Sequence, residues 1–267
     1  MAEEGKGAAA ALTGLRAKID RIDEEVHRLL MERGTVIDAL IRTKGTSRPG
    51  AAFRPGREAD MMRRLVARHD GILPLATVEH IWREIITTFT RLQAPFDVAM
   101  DVNTEPERMR DMARFYFGFS VNLEPLSGPA AVIAHVAETN DLGIIALRQP
   151  AEEGAWWRGL AAAAAPKVMG LVPYIASDGR PAGLPTLVIS PPLADLTPPD
   201  LAVVAITGKA PKGAVVLAEA GEERLAAVAA GHIAAGAAIV GGIARGIAID
   251  GAETLLYEGA ASQGKNR

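Results

Sequence analysis

One segment, "ALTGLRAKIDRIDEEVHRLLMERGTVIDALIRTK", constrains the fold more than any other. Leu15, Ile19, Ile22, Val26 and Leu29 follow one another at steps of 4, 3, 4 and 3. That is the period of a helix packed along a seam. Continued, the steps land on Arg33, Val36 and Leu40, and a further step of 4 reaches Lys44. A helix this long cannot bury its seam against itself. It needs partner helices, and a second copy of the chain is the simplest source. Thr13 or a neighbour is the expected N-cap.

Arg33 breaks the pattern, because every preceding seam position is aliphatic. A buried guanidinium without a partner costs several kcal/mol. At about 100° per residue, Lys44 lies within roughly 20° of the same face and about 16 Å further along the axis. Two cations therefore point where other helices should pack. A protein carboxylate or an anionic ligand must neutralise them, and the spacing alone leaves both open. Arg16 is rotated from Arg33 by about 100°, so the two share a pocket only across a dimer.

Two further helical patterns follow. In "FRPGRE", Pro55 and Gly56 break the chain, and Arg57 and Glu58 open the second helix, "GREADMMRRLVARH". The third, "ATVEHIWREIITTFTRLQ", carries a seam of Val78, Trp82, Ile85 and Phe89, ending at Gln93. Each residue also has a plain explanation: solvation for a helical arginine, the helix dipole for Glu58, fraying for Gln93. The proline in "QAPFD" stops the third helix and marks a boundary near residue 95.

Beyond it the composition shifts to Ala, Gly, Val and Pro, and the pattern reads as α/β. Strands are expected at 143–147, 185–190, 201–207, 214–219 and 254–259, and helices at 105–117, 128–138, 154–165 and 222–236. Residues 200–260 resemble a small β-α-β-β unit of the amino-acid-binding regulatory kind. The Trp pair in "GAWWRGL" reads as core or interface. The fold class is therefore α+β multidomain. A flexible stretch spans 1–11, an all-α three-helix domain 12–95, an α/β accessory or regulatory domain 96–260, and a tail 261–267.

Aromatics are 4% of the 267 residues and the formal net charge is −3, which argues against nucleic-acid binding. Cysteine is absent, removing thiolate catalysis and disulfides. The histidines lack metal-ligand spacing, so no metal site is expected. The apolar run 226–249 contains His232 and Arg245 and reads as a buried helix plus strand rather than a membrane span. With no signal-peptide pattern, the expected location is cytoplasmic.

In order along the chain, "LRAKIDRIDEEVHRLLMERGTVIDALIRTKG", "FRPGRE", "LVAR" and "VEHIWREIITTFTRLQ" resemble the all-helical chorismate mutase domain over about residues 12–94. The resemblance implies an intertwined homodimer of three-helix chains. It implies that Arg33 and the Arg16 position of a second copy bind the two carboxylates of chorismate. Lys44 and Gln93 would hydrogen-bond the ether oxygen of the breaking bond, Glu58 would hold the ring hydroxyl, and Arg57 would support the pocket. The rearrangement to prephenate is pericyclic and needs no cofactor. Two readings stand beside it: an isochorismate pyruvate-lyase on the same scaffold, and a non-enzymatic dimerisation or ligand-sensing module. The latter rests on Phe89, which stands where a small hydroxyl residue is common in the family. The second half lacks a dehydrogenase GxGxxG unit and a dehydratase Thr-Arg-Phe signature. It is expected to be a reduced, dehydratase-like or regulatory domain, with an aromatic amino-acid effector left open.

Overall fold

The computed structural model describes residues 2–44, 53–139, 141–147, 151–193, 199–233, 236–249 and 254–259. It divides into two compact units, Met1–Ser47 and Arg48–Arg267. The first consists of α1 (Ala2–Lys44), which begins inside the stretch expected to be flexible. Thr13 is not its cap, because the hydroxyl donates to the Ala9 carbonyl within the helix (3.0 Å). The seam is open: Leu15, Ile19, Ile22, Val26 and Leu29 are 49–60% exposed.

The second unit opens with α2 (Pro55–Arg68) and α3 (Leu75–Gln93). Pro55 occupies the first turn of α2, where a missing N–H costs nothing and the fixed φ favours a helix. The buried face of α2 is Ala59, Met62, Leu65 and Val66. That of α3 is a surprise. Val78 is buried, but Trp82, Ile85 and Phe89 of the expected seam are only partly so. The enclosed row is Glu79, Arg83, Ile86, Thr87 and Thr90.

Then come β1 (Val98–Asp101), α4 (Pro106–Phe117), β2 (Leu123–Leu126), α5 (Pro129–Thr139) and β3 (Leu142–Ala146). β1 pairs in parallel with both β2 and β3, a doubly crossed βαβ arrangement. The strands β4 (Lys167–Val172), β5 (Ile175–Ala176) and β6 (Thr186–Ser190) follow, then β7 (Leu201–Thr207), β8 (Val215–Ala220) and β9 (Glu223–Ala229). The chain closes with β10 (Ala238–Ile243), β11 (Gly246–Ala248) and β12 (Tyr257–Gly259). Nine strands form one mixed sheet in the order β2-β1-β3-β6-β4-β10-β7-β9-β8, and β12-β11-β5 form a small second sheet.

One apolar cluster joins Met62 and Leu65 of α2, Ile86 of α3, and Met109, Met112 and Tyr116 of α4 to Met100 and Ile144 of the sheet. A second joins Val132, Ile133 and Val136 of α5, the Trp156–Trp157 pair and residues of the central strands. The compositional boundary near 95 thus lies inside a unit whose core is shared between α2, α3 and the sheet.

Several expected elements differ. The helix expected at 222–236 is replaced by β9 (Glu223–Ala229) and a 3-10 turn at Ala230–His232, and 154–165 holds only a short 3-10 turn, Trp156–Leu160. Strands β7 to β10 belong to the large sheet, so the small β-α-β-β unit is not formed. The described residues of the apolar run 226–249 hold the end of β9, a 3-10 turn at Ala230–His232, β10 and β11 instead of helix plus strand, and among the described residues no helix is long and apolar enough to cross a membrane. The expected tail at 261–267 lies outside the described residues.

α5 packs tightly on β3 because position 143 has no side chain. A Cβ on Gly143 would stand 2.6 Å from Val132 Cγ1 and 2.9 Å from Val136 Cγ2. Gly143→Ala is expected to cost about 1–3 kcal/mol through overpacking, read as a lower denaturation midpoint at unchanged slope.

Candidate active site

The candidate residues divide between the units. Arg16, Arg33 and Lys44 lie on α1, with Arg16 exposed and Arg33 partly buried. Lys44 ends the helix, and its side chain lies outside the described residues. Arg57, Glu58 and Gln93 lie in the second unit. Arg57 is exposed, whereas its neighbour Glu58 is buried, as the rotation of about 100° between successive helical residues allows. Gln93 donates its amide to the Phe89 carbonyl one turn back (2.9 Å), which leaves one N–H of the amide for another acceptor.

Glu58 is where the structure adds most. Arg83 Nη1 donates to Glu58 Oε2 at 2.7 Å, with the two side chains 2% and 6% exposed. The other donors of Arg83, Nε and Nη2, reach the Tyr116 carbonyl at 3.3 and 3.1 Å, and the Thr87 hydroxyl reaches the same oxygen at 2.9 Å. Tyr116 lies in the last turn of α4, where carbonyls lack intrahelical partners and a cation meets the negative end of the helix dipole. α3 therefore caps α4 with two side chains. The Arg83 guanidinium also stands over the rings of Tyr116 (5.2 Å) and Tyr174 (5.7 Å).

A second ion pair continues the network. Tyr116 donates its hydroxyl to Glu79 Oε1 at 2.6 Å and accepts the Tyr174 N–H at 2.9 Å. Arg180 pairs with Glu79 Oε2 at 2.9 Å, donates to the Ile175 carbonyl and lies over the Phe115 ring at 5.1 Å. Burial pushes the Glu79 carboxyl above its usual range, with Arg180 and the Tyr116 hydroxyl opposing it. Burial acts most strongly on Arg83, against its charged form, but the Glu58 carboxylate, Tyr174 and Tyr116 together outweigh it and the net direction is upward. The Tyr116 phenol is pushed well up, by burial first and by Glu79 second.

Sequence reasoning passed over Glu79, Arg83, Tyr116 and Arg180. The available signal is slight. Glu79, Arg83 and Thr87 recur at steps of 4, and such a row reads first as a solvated face with an i,i+4 pair. Only the positions of α2 and α4 show that the pairs run between elements instead.

Residues 15–94 match the family model for chorismate mutase type II, a span that includes all six candidate residues. By that match the first third of the chain carries a chorismate mutase type II domain, followed by a larger C-terminal region. Similar proteins include bifunctional chorismate mutase/prephenate dehydratases. That of Neisseria gonorrhoeae is 37% identical over 84 residues, 32% of this chain and 22% of that protein. That of Stutzerimonas stutzeri is 28% identical over 149 residues, 54% of this chain and 40% of that protein. That of Aquifex aeolicus is 29% identical over 146 residues, 53% of this chain and 40% of that protein. The two longer matches are too long to lie within the helical third. The chain spans less than half the length of these relatives. No solved structure matches.

Removing Arg180 leaves Glu79 buried without its main counter-charge. Arg180→Met is expected to lower stability at neutral pH by about 3 kcal/mol. The sign of the pH dependence follows from a carboxyl raised further above its unfolded value of about 4.5. The stabilisation of the protonated carboxyl is complete below that value and is lost as pH rises through the folded one. The deficit of the variant should therefore shrink toward about pH 4 and grow toward neutrality, measured by urea denaturation across pH.

Proposed function

We propose that the protein is a chorismate mutase, converting chorismate to prephenate in the formation of phenylalanine and tyrosine. The observation that carries the reading is the family match over residues 15–94, which contains every cation, carboxylate and amide that the chemistry asks for. The reaction is unimolecular. An enzyme accelerates it by holding a flexible dianion in a compact conformation and by stabilising charge that develops on the ether oxygen.

Each residue type suits its role. Arg33 and the Arg16 position of a second copy offer planar forks to the two carboxylates. Lys44 supplies a positive donor to the ether oxygen. Gln93 supplies a neutral one, which needs no prior protonation at neutral pH. Glu58 accepts from the ring hydroxyl, and Arg57 supports the pocket. A homodimer through α1 fits the same reading, because the open seam of Leu15, Ile19, Ile22, Val26 and Leu29 has the 3.5-residue period that a second helix would cover.

The purified full chain should consume chorismate and release prephenate. Arg33→Ala is expected to lower kcat/KM by about 100-fold or more while the dimer persists in sedimentation. Unchanged turnover in that variant would overturn the assignment, and pyruvate release from isochorismate would favour the lyase. Ile22→Glu should shift the dimer toward monomer, since it places a charge on the seam.

A further inference from the structure

Arg83 has a defined relation to Glu58 that the roles above do not use. We propose that Arg83 is a positioning residue for Glu58, and that the α/β half of the chain decides where Arg83 stands. The inference rests on the reading of Glu58 as acceptor for the ring hydroxyl.

A carboxylate has two oxygens, and Arg83 occupies Oε2 of Glu58 at 2.7 Å. That bond fixes the direction in which Oε1 can accept from a ligand. It does so only if Arg83 is itself immobile. Its Nε and Nη2 are held by the Tyr116 carbonyl, and its flat face is held by the Tyr116 and Tyr174 rings. Tyr116 is fixed in turn by the bond from its hydroxyl to Glu79 and by the Tyr174 N–H. Glu79 is fixed by Arg180. Of these, Tyr116, Tyr174 and Arg180 lie outside the span 15–94 of the family match. A residue inside the mutase domain is thus oriented by three residues that a free-standing mutase domain would lack.

The chemistry distinguishes positioning from mere support. Arg83 makes three bonds to two acceptors with one planar fork. Lysine keeps the charge but, as a single ammonium, cannot reproduce that fork. Tyr174→Leu removes a ring from beneath the guanidinium and leaves every hydrogen bond of Arg83 in place.

The test is steady-state kinetics with chorismate on the full chain, for Glu58→Gln, Arg83→Lys, Tyr174→Leu and the two double variants that contain Glu58→Gln. Glu58→Gln and Arg83→Lys should each lower kcat/KM about tenfold, mainly through KM, and Tyr174→Leu about threefold. If Arg83 acts through Glu58, the effects do not multiply, and each double variant stays within about threefold of Glu58→Gln alone. Should Arg83→Lys fail to fold, the Tyr174→Leu cycle carries the test. Losses that multiply, parental kinetics in both Arg83→Lys and Tyr174→Leu, or a fall in kcat with KM unchanged would overturn the inference while leaving the role of Glu58 intact. Parental kinetics in Glu58→Gln would overturn the reading of Glu58 and the inference with it.

Discussion

A guanidinium at 2% exposure stays buried only if its donors and its charge are met, and the second unit is arranged so that those of Arg83 are. Glu58 comes from α2, the carbonyl of Tyr116 from α4, and the ring of Tyr174 from the turn between β4 and β5. The second pair, Glu79 with Arg180, balances the first, so two carboxylates and two guanidiniums share one enclosed space. Such a network is not a strong source of net stability, since well-packed apolar residues would do as well. Its effect is on uniqueness. Few placements of four elements satisfy every partner, and a shift of any one would strand a buried charge at a cost of several kcal/mol.

This explains why the unit recognised by likeness and the unit recognised by packing do not coincide. The family match runs from 15 to 94, but the compact second unit runs from 48 to the end. α2 and α3 share an apolar cluster with the sheet, and the charged network with α4 and the segments at Tyr174 and Arg180. α1 does not contribute to that core. Its seam keeps the period of a packed helix while its side chains stay about half exposed. A single helix of this kind gains little from propensity and draws its stability from whatever covers its apolar stripe.

The legibility of the sequence followed the strength of local punctuation. α2 and α4 are bounded by Pro55 and Pro106, and Gly118, at φ 76°, ends α4. Their expected bounds lie within a residue of the observed ones. Strands β3 and β6 and the first four residues of β7 are buried throughout, and their largely apolar runs suit strands with no exposed face. β9 was hidden because "ERLAAVA" is rich in good helix formers. Its placement between β7 and β8 overrides that preference. Arg33 stands out as a candidate in the sequence because it interrupts a regular apolar seam. The ionic core does not, because an internal ion pair and a solvated one have the same composition. What differs is the position of partners that are 25 to 101 residues away in the chain.

α3 is the element through which these constraints meet. Its apolar row, Val78, Trp82, Ile85 and Phe89, runs to Gln93, while its polar row, Glu79, Arg83 and Thr87, faces α4 and the turn at Arg180. The rows start one residue apart and lie roughly 100° or more apart around the axis. A helix is stiff over this length, so the two rows cannot move independently. Whatever holds Arg83 and Thr87 against Tyr116 also sets the height and rotation at which Gln93 is presented. The α/β half therefore bears on two candidate residues by separate routes: on Glu58 through Arg83, whose guanidinium it holds against that carboxylate, and on Gln93 through the rigidity of the helix that carries it.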